Sequence, residues 1–155
     1  ELAEKYALSL FVKQCPTTDY ANEKHISIEM AARELRYAWF NEILETHQFQ
    51  KLAIGHNCDD DTETFFINLF RHSGLHGLKG IPVKRDRIIR PLLFASRDEI
   101  LAYARQHKLS FREDSTNATD DYLRNRIRHH LLPFMENNFP GSRYALTGTL
   151  EKLKE

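Results

Sequence analysis

The sequence predicts an α/β fold in which helices pack on a parallel sheet. Short apolar runs alternate with longer stretches of helical periodicity, in the order helix, strand, helix, strand, helix. The helix starts are marked by capping residues such as Ser27 and Ser96. The composition, 155 residues with 41% hydrophobic and 28% charged, suits one core under a solvated surface. No apolar run approaches the roughly 18 residues that a membrane span needs.

Residues 1–8 have helical spacing at Leu2 and Tyr6, are charged, and carry no signal-peptide pattern. Ser9–Lys13, centred on Leu10-Phe11-Val12, reads as a buried strand, and residues 14–26 as irregular. Ser27 caps a helix running to about His47, with Glu29 in its first turn and Ile28, Ala31, Ala32, Leu35, Trp39 and Ile43 on the buried stripe. Lys51–His56 is a second strand, and a helix follows from Asp60 to about Arg71. Beyond Gly80 the alternation fades. Residues 88–93 form an edge strand, since Pro91 removes a ladder donor. The Ser96-x-x-Glu99 capping box opens a helix ending near Lys108. Helices over 122–135, with Leu123, Ile127 and Leu131 packing, and over 142–155 complete the chain.

Lysine plus arginine and aspartate plus glutamate both number 22, so the net charge is zero, but it is unevenly spread. Residues 1–83 carry 8 basic and 12 acidic side chains, a balance of −4, whereas residues 84–130 carry 11 and 7, a balance of +4. A basic block behind an acidic one permits contact with nucleic acid. Cys15 and Cys58 are too few for a disulfide framework, so a reducing cytoplasm is the expected setting.

The densest chemical signal is His56-Asn57-Cys58-Asp59-Asp60-Asp61-Thr62-Glu63-Thr64, at the carboxyl end of a strand, where open α/β sheets bind ligands. Three adjacent aspartates exceed what helix capping needs. Asp60 and Glu63, three apart, project from one helix face and suit either an ammonium group or Mg²⁺. His56 is placed to bond a phosphate or to serve structurally. Gly74, Gly77 and Gly80 recur at three-residue intervals, consistent with turns or with close backbone approach. They form no Walker A loop and no Gly-x-Gly-x-x-Gly, and no zinc spacing or Gly-x-Ser-x-Gly elbow is present. In Arg124-Asn125-Arg126-Ile127-Arg128, Arg124 and Arg128 share a helix face and Arg126 points elsewhere. Their planar forks suit phosphate or carboxylate. Arg33 and Arg36 make a weaker case of the same kind.

From about residue 27 to 133 these segments, in order, resemble the catalytic domain of bacterial tRNA(Ile)-lysidine synthetases, the MesJ family of PP-loop pyrophosphatases. The resemblance rests on Ala31–Tyr37, His56–Thr64, Arg71–Leu78, Arg90-Pro91-Leu92-Leu93, Glu113-Asp114-Ser115-Thr116-Asn117 and Arg124–His129. Asn57 stands where the family has a second His, Asp61 where it has Gln, and His72 where it has the first Gly of Arg-Gly-Ser-Gly. The family's Ser-Gly-Gly-x-Asp-Ser phosphate loop does not occur in these 155 residues, so by themselves they are expected to make no lysidine.

The resemblance implies a Rossmann-like sheet of the adenine nucleotide alpha hydrolase type, followed by a mostly helical segment. Residues 1–80 would be part of the nucleotide-binding domain, and 81–155 an edge strand and helical subdomain against the substrate. It further implies that ATP adenylates the C2 oxygen of cytidine 34 in a tRNA(Ile) with a CAU anticodon, and that free L-lysine displaces AMP. Asp60 and Glu63 would serve lysine or metal with Asp59 in support, Mg²⁺ lying at Asp59 and Asp60. Arg36 and Arg128 would steady the phosphate or activated base, and His56 and Arg33 the nucleotide. Arg124, Arg126, Asn125 and Arg71 would hold the tRNA. A homodimer is compatible with the sequence, and no membrane partner is expected. Two readings compete: a tRNA thiolase, disfavoured by two cysteines unpaired in spacing, and a non-catalytic RNA-binding module, which the basic block allows.

Overall fold

A computed structural model describes residues 2–111, 120 and 122–155. The chain divides into two compact units, residues 1–50 and 51–155. The first holds α1 (Leu2–Lys5), α2 (Thr17–Lys24) and α3 (Ile28–Thr46). Ser27 caps α3 as expected, its Oγ accepting from the Met30 N–H at 3.2 Å. Ala31 and Leu44 are its buried residues, whereas Ile28 is exposed.

Two expectations fail in this unit. Residues expected to be irregular form α2, which ends in a left-handed His25 (φ 53°), with the Ile26 N–H returning to the Ala21 carbonyl. Its weak periodicity hid it; packing of Ala21 and a Tyr20–Glu34 hydrogen bond of 3.0 Å hold it against α3. Conversely, Ser9–Lys13 is not a strand. It has no ladder partner among the described residues, and Leu10 and Val12 are 73% and 79% exposed. A strand exists only where a neighbour takes its N–H and C=O groups, and apolar content alone supplies none.

The second unit holds β1 (Leu52–Ala53), α4 (Cys58–Phe70), α5 (Leu75–Leu78), β2 (Lys84–Arg85), β3 (Ile88–Ile89), α6 (Arg97–Gln106), α7 (Leu123–Arg126), a π turn (Ile127–Leu131), α8 (Leu132–Asn138) and α9 (Ser142–Lys154). The expected all-parallel sheet is instead a small mixed one, ordered β1-β3-β2. β1 and β3 are parallel, with Leu52 opposite Ile88, because two helices intervene and permit a crossover. β2 and β3 are joined by only Asp86 and Arg87, so they must run antiparallel. Asp86 takes the left-handed turn conformation (φ 54°). The charged Lys84-Arg85 gave no alternation by which to find β2.

α6 begins at the expected capping box, with Ser96 Oγ accepting from the Glu99 N–H at 3.2 Å and Glu99 accepting from the Ser96 N–H at 2.8 Å. The helix expected over 122–135 is interrupted at its centre. Pro133 has no N–H and its ring crowds the carbonyl four residues back, and the π turn just before it absorbs that conflict. The i→i+5 spacing of such a turn stacks residues five apart. Ile127 and Leu132 are therefore the deeply buried pair, with Phe66, while Leu123 stays partly exposed.

Candidate active site

β1 delivers the chain through Gly55 and His56 to the first turn of α4, where each acidic side chain is held by a different partner. Asn57, not an aspartate, is the N-cap. Its Oδ1 accepts from the Asp60 N–H at 3.0 Å and Asp60 Oδ2 accepts from the Asn57 N–H at 3.0 Å. Asp59 Oδ2 accepts from the Arg97 N–H at the start of α6 (2.7 Å), and Oδ1 lies 3.5 Å from Arg143 of α9. Asp61 is buried, accepting from the Ile81 N–H at 2.5 Å and pairing with Lys154. Gly80 makes this possible: its φ is +69°, and a Cβ there would collide with the Asp61 carboxylate.

Glu63 is 0% exposed. Arg128 grips it with two hydrogen bonds, Nε to Oε1 at 2.7 Å and a terminal nitrogen to Oε2 at 3.1 Å. Arg124 Nε lies 3.4 Å from Oε2 as an ion pair without a hydrogen bond. Arg128 also approaches Asp60 Oδ1 at 3.7 Å, so one guanidinium spans both carboxylates of the Asp60–Glu63 face. Burial pushes the Glu63 carboxyl above its ordinary range, opposed by Arg128. Burial is the largest single influence on Arg128 and depresses it, but the hydrogen bonds to Glu63 together with the charges of Glu63, Asp60 and Asp59 outweigh it, and the net shift is upward. Thr64 Oγ1 donates to the Asp60 carbonyl (2.7 Å) and accepts from Arg124 (3.4 Å).

His56 Nδ1 accepts from buried Arg90 Nε at 2.9 Å, which places the proton of the neutral ring on Nε2. Arg90 also donates to the Pro82 carbonyl at 2.7 Å. Arg90, Arg143 and Lys154 are therefore parts of the site that residue-type reasoning left unassigned. Arg90 stood inside a quoted motif, but nothing in the local sequence signals Arg143 or Lys154.

Arg71 ends α4, eleven residues and about 16 Å along the helix from Asp60. Arg33 and Arg36 are exposed on α3 of the first unit, Arg33 lying 5.0 Å from the Tyr37 ring. Asn125 is buried and Arg126 exposed. Glu113–Asn117 lies outside the described residues.

Among the described residues no cluster of three or more His, Cys, Asp or Glu is arranged to hold a metal. Three of the four Asp59 and Asp60 carboxylate oxygens already face N–H groups or Arg143, and the fourth faces Arg128. The pair is thus not a preformed Mg²⁺ cage. Cys15 and Cys58 are free thiols. Burial raises the Cys58 thiol, whose sulfur meets Thr147 Oγ1 at 3.4 Å, so it lacks the surroundings of a nucleophilic thiolate. No helix among the described residues is long and apolar enough to cross a membrane.

A carboxylate-rich helix start at a strand's carboxyl end, beside a small sheet, is the position at which open α/β domains bind their ligands. Residues 1–135 match the PP-loop domain family, and the chain belongs to it. It is 44% identical over 155 residues to the tRNA(Ile)-lysidine synthase of Bacteroides thetaiotaomicron, covering 100% of this chain and 36% of that protein. It is 45% identical over 139 residues to the tRNA(Ile)-lysidine synthase of Porphyromonas gingivalis, covering 89% and 31%. The chain thus spans about a third of the length of the relatives it matches. Among solved structures it is similar to the U34-tRNA thiolase NcsA from Methanococcus maripaludis, with a TM-score of 0.64, 20% identity, and 98% of this chain and 53% of that chain covered. That likeness concerns the fold.

Proposed function

We propose that this chain is part of an enzyme that uses ATP to join free L-lysine to C2 of cytidine 34 in a tRNA(Ile) with a CAU anticodon, through an adenylated tRNA. The observation that carries this reading is the Asp60–Glu63–Arg128 constellation at the start of α4, in a chain 44% identical to a tRNA(Ile)-lysidine synthase.

In this reading Asp60 receives the lysine ε-ammonium and takes one proton from it; the free amine attacks C2, the C2–O bond breaks as AMP leaves with that oxygen, and the second amine proton passes to AMP or water. Glu63, wholly enclosed by its arginines, acts through Arg128, fixing the guanidinium that steadies the adenylate phosphate or the activated base. Asp59 supports both by tying α4 to the starts of α6 and α9. The His56 Nε2–H donates to nucleotide phosphate; Arg33 serves the nucleotide and Arg36 the phosphate or activated base. Arg126 and Arg71, both exposed, meet the tRNA, while buried Asn125 and the Glu63-paired Arg124 hold α7 in place behind them. Magnesium would arrive with the triphosphate, for which Asp59 and Asp60 offer at most an outer contact. The setting is the cytoplasm, and sedimentation of the purified protein decides between monomer and homodimer. Sulfur transfer is disfavoured by the protonated, half-buried Cys58.

The test is transfer of labelled lysine to unmodified tRNA(Ile) by the gene product at the length of its relatives, with ATP and Mg²⁺. Label is expected on the CAU transcript and absent when cytidine 34 is replaced by uridine. Equal labelling of both transcripts, or none on either, would overturn the reading.

A further inference from the structure

We propose that the cleft between the end of α4 and the α7–α8 segment seats an unstacked nucleobase of an RNA, with Arg126 on the adjoining phosphate. This rests on the tRNA-modifying reading above and adds a base-binding site away from the Asp60–Glu63 face. The cleft measures about 510 Å³. Its apolar lining includes Phe70, Leu123, Leu131 and Phe134, with Arg126 and His130 also on its wall. Phe70 and Phe134 are 51% and 60% exposed, so two accessible aromatic rings border one open depression.

Among the described residues the charged side chains on its wall are basic. Of the three arginines in this segment, Arg124 and Arg128 are spent on Glu63. Arg126 is exposed and has no ion pair among the described residues. Among the described residues no carboxylate lines the cleft, and Asp120, which meets His130 of its wall, is held by His129 (2.8 Å) and His130 (2.7 Å). Residues 84–130 as a whole carry a balance of +4. An apolar helix from another protein would fill the depression but leave the guanidinium unanswered. An unstacked nucleotide answers both, since its base has a π face for the phenyl rings and its phosphate a charge for Arg126.

The test is filter binding of the CAU-anticodon tRNA(Ile) transcript to the full chain over a range of KCl concentrations. Phe134→Ala and Phe70→Ala should each weaken binding by about 5- to 100-fold at fixed salt without changing the salt slope, the signature of lost stacking. Arg126→Ala should reduce that slope by about one. Phe134→Trp, which preserves the packing, should bind as tightly as wild type, and its fluorescence should be quenched by the RNA. Wild-type affinity in both alanine variants, with salt-sensitive binding intact, would overturn the cleft and leave the tRNA reading standing. Absence of salt-sensitive tRNA binding by the wild type would overturn both. Dissociation of a dimer by Phe134→Ala would assign the cleft to a second copy of this chain and overturn the proposal.

Discussion

The Glu63 carboxylate and the Arg128 guanidinium are held together out of water, and the two cannot be altered independently. Arg128→Ala would leave Glu63 buried with only a misaligned Arg124, a loss expected to cost about 3–5 kcal/mol in denaturant unfolding. The sign of its pH dependence follows from the raised Glu63 carboxyl. A group whose folded pKa lies above its unfolded one favours folding below the unfolded pKa, and that contribution fades as pH rises through the folded value. The deficit of Arg128→Ala should therefore shrink on moving from neutral pH into the acid range. Glu63→Gln, which removes the titration, should abolish that pH dependence. In the lysine-transfer assay Asp60→Asn and Glu63→Gln are both expected to abolish product. If Glu63 works through Arg128, Arg128→Lys should impair turnover as well, because an ammonium cannot span two carboxylates as a fork does.

Between elements, capping decides more than propensity. α9 begins at Gly141, which offers no side-chain cap; Glu136 of α8 reaches over instead, accepting from the Gly141 N–H at 2.9 Å and the Arg143 N–H at 3.2 Å. These backbone hydrogen bonds hold its carboxyl below the ordinary range. The stabilisation is thus present above the unfolded pKa and lost as pH falls through the folded one. Glu136→Gln should lower Tm at neutral pH, and the gap from wild type should close in acid. This cap explains what was readable and what was not. The Ser27 and Ser96 caps act within four residues and were legible in the sequence, as was the Asp60/Glu63 face. Glu136, Arg143, Lys154 and Arg90 act across distant elements, and the π turn at Ile127–Leu131 shifts the buried face from Leu131 to Leu132. Short-range periodicity carries no record of either effect. Inserting one alanine between Leu131 and Leu132 should rotate α8 by about 100° relative to α7. Thermal unfolding would then show a lower Tm, since Leu132 would leave the core and Glu136 would leave α9.

At the scale of the whole molecule, the exposed run from Leu8 to Val12 has consequences for handling the protein. Leu8, Leu10 and Val12 face solvent, and the run carries no charge and no proline. It has the β-prone, uncharged character from which intermolecular strand stacking begins. Colloidal behaviour should therefore be governed here rather than by the global fold. Val12→Lys, at a position that contributes little burial, should leave Tm unchanged and raise the concentration at which static light scattering first reports assembly. An unchanged onset would place the sticky surface elsewhere. The same stretch that looked from its composition like a piece of core is then the part of the surface that sets the working concentration of the protein.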